Sequence, residues 1–262
     1  MDTAEDFVSV EIEERIAVVT LNRPQAMNAL SGAFADELTG VFSRLADDRE
    51  VWVVVVAAAG EKAFCVGADL KERAGFTLDD FHRNREQVRG LFASVRRLPQ
   101  PAIASVFGFA LGGGFELALS CDLIVAAEDA VFGLPETRVG LIPAGGGTQL
   151  LTRKLGVARA KELIFRGRRI DVREAKELGL VADVAPRERL LDMTMEVARD
   201  ICRSSPVAVR SAKVAIDAAL GVPLDEGIEI EHQAWEKTIS SRDRAEGIDA
   251  FTNKRDPQWS NE

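Results

Sequence analysis

The stretch ALGGGFELALSCD, Ala110 to Asp122, sets three consecutive glycines directly before an apolar segment that carries one glutamate. Glycine weakens a helix unless the backbone needs its freedom, and a carboxylate on an apolar element costs free energy unless something uses it. A strand that ends in glycines and enters a helix leaves backbone N–H groups pointing at whatever lies above the turn. Without Cβ atoms in the way, a ligand can approach that backbone closely. The turn then offers a donor pair backed by the positive end of a helix dipole, which suits an anion or a developing oxyanion. Glu116 falls in the first helical turn, where the dipole favours its ionised form and the apolar neighbours Phe115 and Leu117 oppose it. Taken alone, the triplet also fits a tight turn or close packing, and Glu116 also fits a surface ion pair. Dinucleotide binding is disfavoured, because Leu117 stands where the third glycine of GxGxxG belongs, and the phosphate-loop pattern ending in Gly-Lys-Ser/Thr is absent.

On either side of this turn the chain alternates strand and helix patterns. Pro101 to Ala110 reads as one strand and Asp122-Leu-Ile-Val-Ala-Ala as the next. Further upstream, Ile16-Ala-Val-Val-Thr-Leu reads as a strand ending in Asn22-Arg-Pro, and Val51-Trp-Val-Val-Val-Val as a strand covered on both faces. Ser31 caps a helix whose Leu38, Val41, Phe42 and Leu45 recur at helical spacing. Gly67-Ala-Asp-Leu-Lys-Glu turns into a helical segment with Asp69 as its cap, and Thr77 with Asp80 forms a capping box for the helix carrying Val88, Leu91, Phe92 and Val95. A second carboxylate, Glu136, follows a short strand in Phe132-Gly-Leu-Pro-Glu, and a second glycine cluster follows at Ala144-Gly-Gly-Gly-Thr. Strand, glycine loop and helix recur at Gly67, Gly112 and Gly145, which points to repeated turns of one core rather than separate domains. From Val157 the pattern is helical: Asp171 with Glu174, Ser205 before Pro206, and Ser240 with Asp243 each head a helix. The predicted class is α/β, with a core over residues 1–195 and a helical C-terminal region over 196–262.

Composition narrows the function. The 262 residues carry a net charge of −9 and include two histidines and three cysteines. That charge argues against nucleic acid or an anionic membrane as a bulk partner, while leaving room for one anionic ligand held by local basic groups. No apolar run approaches the roughly 18 residues of a membrane span. The acidic, alternating start MDTAEDFVSVEIEER is no export or transit signal, and Cys65, Cys121 and Cys202 form no CxxC pair, so a cytoplasmic location is expected. His82 and His232 are far apart in sequence, which disfavours a histidine metal site or a Ser-His-Asp triad; carboxylates and backbone are left to carry the chemistry.

The whole run GADLKE, ALGGGFELALSCDLIVA and FGLPETRVGLIPAGGGTQ resembles the crotonase family, the enoyl-CoA hydratases and isomerases. The likeness extends from LNRPQAMNAL at Leu21 to DRAEGIDAF at Asp243. It implies a crotonase-like spiral of repeated β/α turns with a helical C-terminal region. It also implies an oxyanion hole made by the backbone N–H groups of Ala68 and Gly113, which would stabilise the enolate of a thioester. A side chain at Gly113 would then crowd the ligand and strain an unusual φ, while Gly112 would serve conformation. Hydratases of the family carry two glutamates, matched here by Glu116 and Glu136, the first usually activating water and the second donating the proton. The sequence itself does not say which does which.

By the same resemblance the substrate is an acyl-CoA thioester and no separate cofactor is needed, since coenzyme A is part of the substrate. Arg23 and Lys62 would meet its phosphates, Ala63 and Phe64 would pack against the adenine, and Asp69 and Leu70 would adjoin the bound thioester. Gln25 stands where relatives often have a lysine. Lys254, with Arg255, sits where relatives reach a neighbouring subunit, since the family forms trimers or dimers of trimers; Trp235 and Trp259 are candidate interface residues. The segments GADLKERA, AKELIF, PVAVRSAK and Trp235-Glu-Lys-Thr look more like methylglutaconyl-CoA hydratases, whose substrate carries a distal carboxylate, and Arg73, Arg83 and Arg85 lie where a matching cation could sit. The resemblance is also compatible with enoyl-CoA isomerase activity and with an RNA-binding role; net charge −9 and the lack of a basic stripe speak against RNA.

Overall fold

The computed structural model describes residues 7–262; the first six residues of the acidic start lie outside them. Strands β1 Val8–Glu13 and β2 Ile16–Leu21 form an antiparallel hairpin. Helix α1 Gly32–Asp47 opens at Ser31, whose side chain accepts from the Phe34 N–H. Strand β3 Val53–Ala58 starts two residues into the valine run, because the Val51 and Trp52 N–H groups donate to the Asp48 and Arg15 carbonyls in the approach to it. Next come β4 Ala63–Cys65, α2 Leu70–Arg73 and α3 Leu78–Arg96, the last opened by the Thr77–Asp80 capping box. They are followed by β5 Ala102–Val106, β6 Phe109–Leu111, α4 Gly113–Ser120, β7 Leu123–Ala127 and β8 Val131–Gly133. A 3-10 turn over Glu136–Val139 leads to α5 Gly147–Leu155 and α6 Val157–Arg166. The chain ends with β9 Arg169–Asp171, α7 Val172–Glu177, β10 Asp183–Ala185, α8 Leu190–Cys202, α9 Pro206–Ala218, α10 Leu224–Ile239 and α11 Arg242–Asn253.

The strands build two sheets, one in the order β1-β2-β3-β5-β7-β10 and one in the order β4-β6-β8-β9. From β2 onward the first sheet is parallel, as is β4-β6-β8 in the second; β1 and β9 are antiparallel edges. The pairs β3/β4, β5/β6 and β7/β8 each give one strand to each sheet, so the chain winds as a spiral in which every turn stacks on the last. The expected α/β spiral is what forms, with one difference: Pro101–Ala110 is two strands. Gly108, at φ 51°, breaks it, and a Cβ there would stand 2.2 Å from the Lys62 carbonyl oxygen. That close crossing lets β5 and β6 belong to different sheets. The region from Val157 likewise contains β9 and β10, whose three residues each are too few to show a period of two.

The valine run is buried on both faces. Val54 and Val56 face the core made with Phe34, Leu38, Leu91 and Phe92 of α1 and α3. Val53 and Val55 face the opposite core with Leu190, Met195 and Ala198 of α8. Each such side chain removed from water contributes about 1.5–3 kcal/mol. Helix α8 spans residue 195 and packs on the sheet through Leu190, Met195 and Ala198.

The last helix is capped by Ser241, not Ser240, which ends α10. Asp243, 1% exposed, accepts from Ser205 Oγ at 2.7 Å and from the Ser260 and Asn261 N–H groups at 2.8 and 3.1 Å. Trp259 is used within the chain as well, its Nε1–H donating to the Arg203 carbonyl, whereas Trp235 is exposed. Among the described residues no helix is long and apolar enough to cross a membrane.

Candidate active site

The second sheet ends at the glycine turn, and its three glycines do three different things. Gly112 takes φ 53° and ψ −127°, and a Cβ on it would stand 3.0 Å from Glu136 Oε1. Gly114 must let β4 through: its Cβ would lie 2.0 Å from the Cys65 carbonyl oxygen. Gly113 is the first residue of α4 with ordinary helical backbone, so the expected unusual φ belongs to Gly112 and not to Gly113. As the first helical residue, Gly113 has an N–H with no partner inside the helix.

The loop after β4 lies directly against this turn. A Cβ on Gly67 would stand 2.7 Å from the Gly113 nitrogen. Leu30 bridges Ala68 by donating to the Gly67 carbonyl at 2.7 Å and accepting from the Asp69 N–H at 3.1 Å. In a parallel bridge this pattern turns the Ala68 N–H to the other side. Ala68 and Gly113 both line a cavity of about 450 Å³, together with Glu116 and Glu136.

Glu116 is 3% exposed, and its Oε1 accepts the N–H groups of Gly145 at 2.7 Å and Gly147 at 2.8 Å. The second glycine cluster therefore holds the first cluster's carboxylate, leaving Oε2 for the cavity. Burial pushes the Glu116 carboxyl above its ordinary value, while the two N–H bonds and the charges of Arg85 and Arg96 pull it back. A hydrogen bond to a charged group is worth about 1.5–3 kcal/mol, so two of them stabilise the carboxylate substantially.

Glu136 begins the 3-10 turn and is half-buried, with Oε2 buried and without a hydrogen-bond partner. Burial pushes it up to about 7, its own backbone N–H works against that rise, and the Glu116 charge adds to it. One cavity thus holds a carboxylate fixed by backbone donors and a carboxyl poised to carry a proton near neutrality. Among the described residues no group of three or more His, Cys, Asp or Glu side chains is placed to hold a metal ion.

The sequence profile of the enoyl-CoA hydratase/isomerase family matches residues 11–262. The chain belongs to that family. The crystal structure of an enoyl-CoA hydratase from Bacillus anthracis superposes with a TM-score of 0.96 at 45% identity, covering 98% of this chain and 100% of that one. The human mitochondrial enoyl-CoA hydratase domain-containing protein 2 is 44% identical over 94% of this chain and 86% of its own length. Mouse mitochondrial methylglutaconyl-CoA hydratase is 40% identical over 97% of this chain and 82% of its own. The protein is an enzyme of the enoyl-CoA hydratase/isomerase family with the fold of its solved members.

The remaining residues singled out by the family resemblance are placed unevenly. Leu70 lines the cavity rim and is 62% exposed. Asp69 caps α2, accepting the Lys71 and Glu72 N–H groups, and binds Arg23 Nη1 at 2.7 Å. Burial alone would raise the Asp69 carboxyl; hydrogen bonds from Arg23 and from backbone N–H groups outweigh it and hold the carboxyl below its usual range. Arg23, neither a free loop cation nor wholly open to a ligand, also donates to the Ala29 carbonyl at 2.9 Å and so ties its loop to the Ala68 loop. Lys62 is exposed, whereas Ala63 and Phe64 are buried, Phe64 within the main core. With both side chains buried, Ala63 and Phe64 present backbone rather than side chain to the surface. Lys254 ends α11 with φ 52°, exposed and away from the cavity.

Of the three arginines considered for a distal carboxylate, Arg73 and Arg85 line the cavity; Arg83 instead points to Asp80 on the surface. Arg138 and His82 also line it and were not singled out from sequence. Nor was the pairing of Gly145 and Gly147 with Glu116, although the glycine cluster that makes it was conspicuous.

Proposed function

We propose that the protein is an enoyl-CoA hydratase, adding water across the 2,3 double bond of a 2-enoyl-CoA to give a 3-hydroxyacyl-CoA. The observation that carries this is the pairing of Glu116, braced by the Gly145 and Gly147 N–H groups, with Glu136, raised to about 7, in one cavity with the Ala68 and Gly113 N–H groups. The thioester oxygen accepts from those two N–H groups, which stabilise the enolate as water adds; one such donor is typically worth about 3–4 kcal/mol. Glu116 Oε2 takes a proton from the water, hydroxide bonds to C3, and the Glu136 proton goes to C2. Transfer of the proton from Glu116 back to Glu136 through water closes the cycle. Crotonyl-CoA turnover, followed as loss of the conjugated thioester absorbance with product identified by chromatography, tests this reading. Formation only of the 3-enoyl isomer would replace it with isomerase activity.

A second reading concerns the acyl group. Arg73 is oriented by Asn84 Oδ1 at 2.8 and 3.1 Å; burial disfavours its charge, the Glu72 carboxylate favours it, and the Arg85 charge disfavours it further. Two arginines lining one wall of the acyl cavity, and the likeness to a methylglutaconyl-CoA hydratase, support a 2-enoyl thioester with a distal carboxylate. Comparing kcat/KM for that substrate and its methyl-ended counterpart decides it: equal values would leave the arginines without that role.

The nucleotide's phosphates would lie over Lys62 and the unused N–H groups of Arg23. Assembly into trimers would cover the apolar side chains that α9 to α11 leave open, among them Leu224 at 78% and Phe251 at 87% exposure, and would bring Lys254 to a neighbour's ligand. Sedimentation equilibrium reads the assembly directly, and a monomer at micromolar concentration would refute it.

A further inference from the structure

Behind Glu116 lies a second cavity of about 800 Å³, between α4, α5 and α9. Arg96, at the end of α3, lines this second cavity and reaches through to the Gly145 turn in the wall of the first. Its Nη1 donates to the Gly145 carbonyl at 3.3 Å and to Ser120 Oγ at 3.4 Å. Ser120, 6% exposed, in turn donates to the Glu116 carbonyl at 2.8 Å. The Gly145 carbonyl sits in the chain between the two N–H groups that hold Glu116 Oε1. One guanidinium therefore ties together the helix that carries Glu116 and the turn that fixes its carboxylate.

We propose that Arg96 is a positioning residue for Glu116: its hydrogen bonds to the Gly145 carbonyl and to Ser120 set the Gly145–Gly147 turn so that both N–H groups meet Glu116 Oε1. This rests on the hydratase reading above. The requirement is physical. A carboxylate 3% exposed returns toward the protonated form unless donors and cations hold it, and a proton there removes the base. The charged and titratable groups around α4 are Arg73, His82, Arg85, Glu136 and Arg138 in the first cavity, Arg96, Cys121, Asp122, Arg153, Lys154, Lys213 and Asp217 in the second, and Cys65 of β4. Burial pushes the Cys65 thiol up to about 12, so it stays neutral. Burial raises Glu116, and Arg85 and Arg96 are the two cations that act against it. Arg85 does so from inside the substrate cavity. Arg96 alone of the two touches the turn that supplies the donors.

The experiment compares Arg96→Gln, which keeps a donor without charge, with Arg96→Lys, which keeps charge without the fork. The base must be ionised, so activity is lost as pH falls through the Glu116 value, and anything that raises that value moves the acid limb of kcat/KM upward. Arg96→Gln is expected to lower kcat roughly tenfold with KM within about twofold, and to move the acid limb up by several tenths of a pH unit. Arg96→Lys is expected to leave the limb in place while kcat still falls. A carbon-13 titration of labelled glutamate carboxyls, assigned with Glu116→Gln, reads the same shift without any turnover. A Glu116 titration unmoved in Arg96→Gln, or a loss confined to KM, would overturn the proposal. If the wild type hydrates no enoyl-CoA, the hydratase reading falls while the titration still decides the role of Arg96.

Discussion

Two glycine turns, Gly112–Gly114 and Gly145–Gly147, use the same device on different targets. Both enter a helix, α4 and α5, and both expose backbone N–H groups at its start. The first presents the Gly113 N–H to an open cavity beside that of Ala68. The second has its N–H groups already committed to the protein's own Glu116, at 2.7 and 2.8 Å. On the hydratase reading, backbone donors at a helix N-terminus would serve a substrate oxyanion in one case and a catalytic side chain in the other, and only the second set has its partner within the protein. If the first turn acts on the transition state and the second acts on a proton equilibrium, damage to each should read differently.

The largest effect is expected at the carboxyls that the two turns adjoin. Glu116→Gln and Glu136→Gln should each lower crotonyl-CoA hydration by about 10²–10⁴-fold, the usual worth of general acid or base help. Circular dichroism should stay unchanged in both. A variant that keeps more than about a tenth of the wild-type rate would take its residue out of the proton transfers.

Next comes the substrate-facing turn. Gly113→Val should lower kcat by about 10²–10³-fold at every pH, since one oxyanion donor is displaced and no titrating group is touched. Its Cβ would also stand 3.3 Å from Gly67 Cα, tight against the neighbouring loop. A folded Gly113→Val with normal turnover would end the parallel between the two turns.

The carboxylate-facing turn should respond in pH instead. In Gly147→Ala the new Cβ would stand 2.9 Å from Glu116 Oε1, pushing the carboxylate off its donors. Losing one charge-assisted bond is worth about 1–2 pH units, so the Glu116 value rises and the acid limb of kcat/KM moves up. The basic limb follows Glu136, which must be protonated and sits near 7, so activity falls as pH rises through that value. The bell should narrow from its acid side only, with a loss of roughly tenfold near pH 7. A uniform loss without a moved limb would mean that the second turn is merely packing.

What the sequence made legible follows the range of the interactions. Local devices read correctly: the Ser31 cap, the Thr77–Asp80 box, the Asp69 cap and the two-faced valine strand each depend on residues within a few positions. The breaks came where distant backbone decides. Gly108 splits a strand because Lys62, far upstream, passes 2.2 Å from where its Cβ would be. Ser240 and Asp243 show a capping spacing, yet Asp243 is drawn into the interior by Ser205 and the last residues, and Ser241 takes the cap. At the site, the two glutamates and two glycine clusters stood out, but not that one cluster holds the other's glutamate. The Arg23–Asp69 pair, 46 residues apart, was hidden in the same way: each residue alone fitted a ligand contact.

That pair bears on the smallest expected effect, because a third anion would be met without a glycine turn. The phosphates of coenzyme A would fall to Lys62 and Arg23, side chains at a surface rather than backbone in a cavity. Each well-formed contact is worth about 1.5–3 kcal/mol, roughly tenfold or more in affinity, and should weaken as salt rises. Because Asp69 already occupies one edge of the Arg23 guanidinium at 2.7 Å, Lys62→Ala should cost more affinity than is lost by raising salt on a variant that already lacks it. Calorimetry with acetyl-CoA and with the matching pantetheine thioester, at low and high salt, measures both. The nucleotide form should bind at least tenfold more tightly, with a gap that closes as salt increases, whereas the Gly113 N–H, shielded in its cavity, should show no such dependence in turnover. Equal affinity for the two thioesters would mean that the protein does not read the nucleotide, and side-chain recognition of phosphate would drop out of the contrast between surface and backbone.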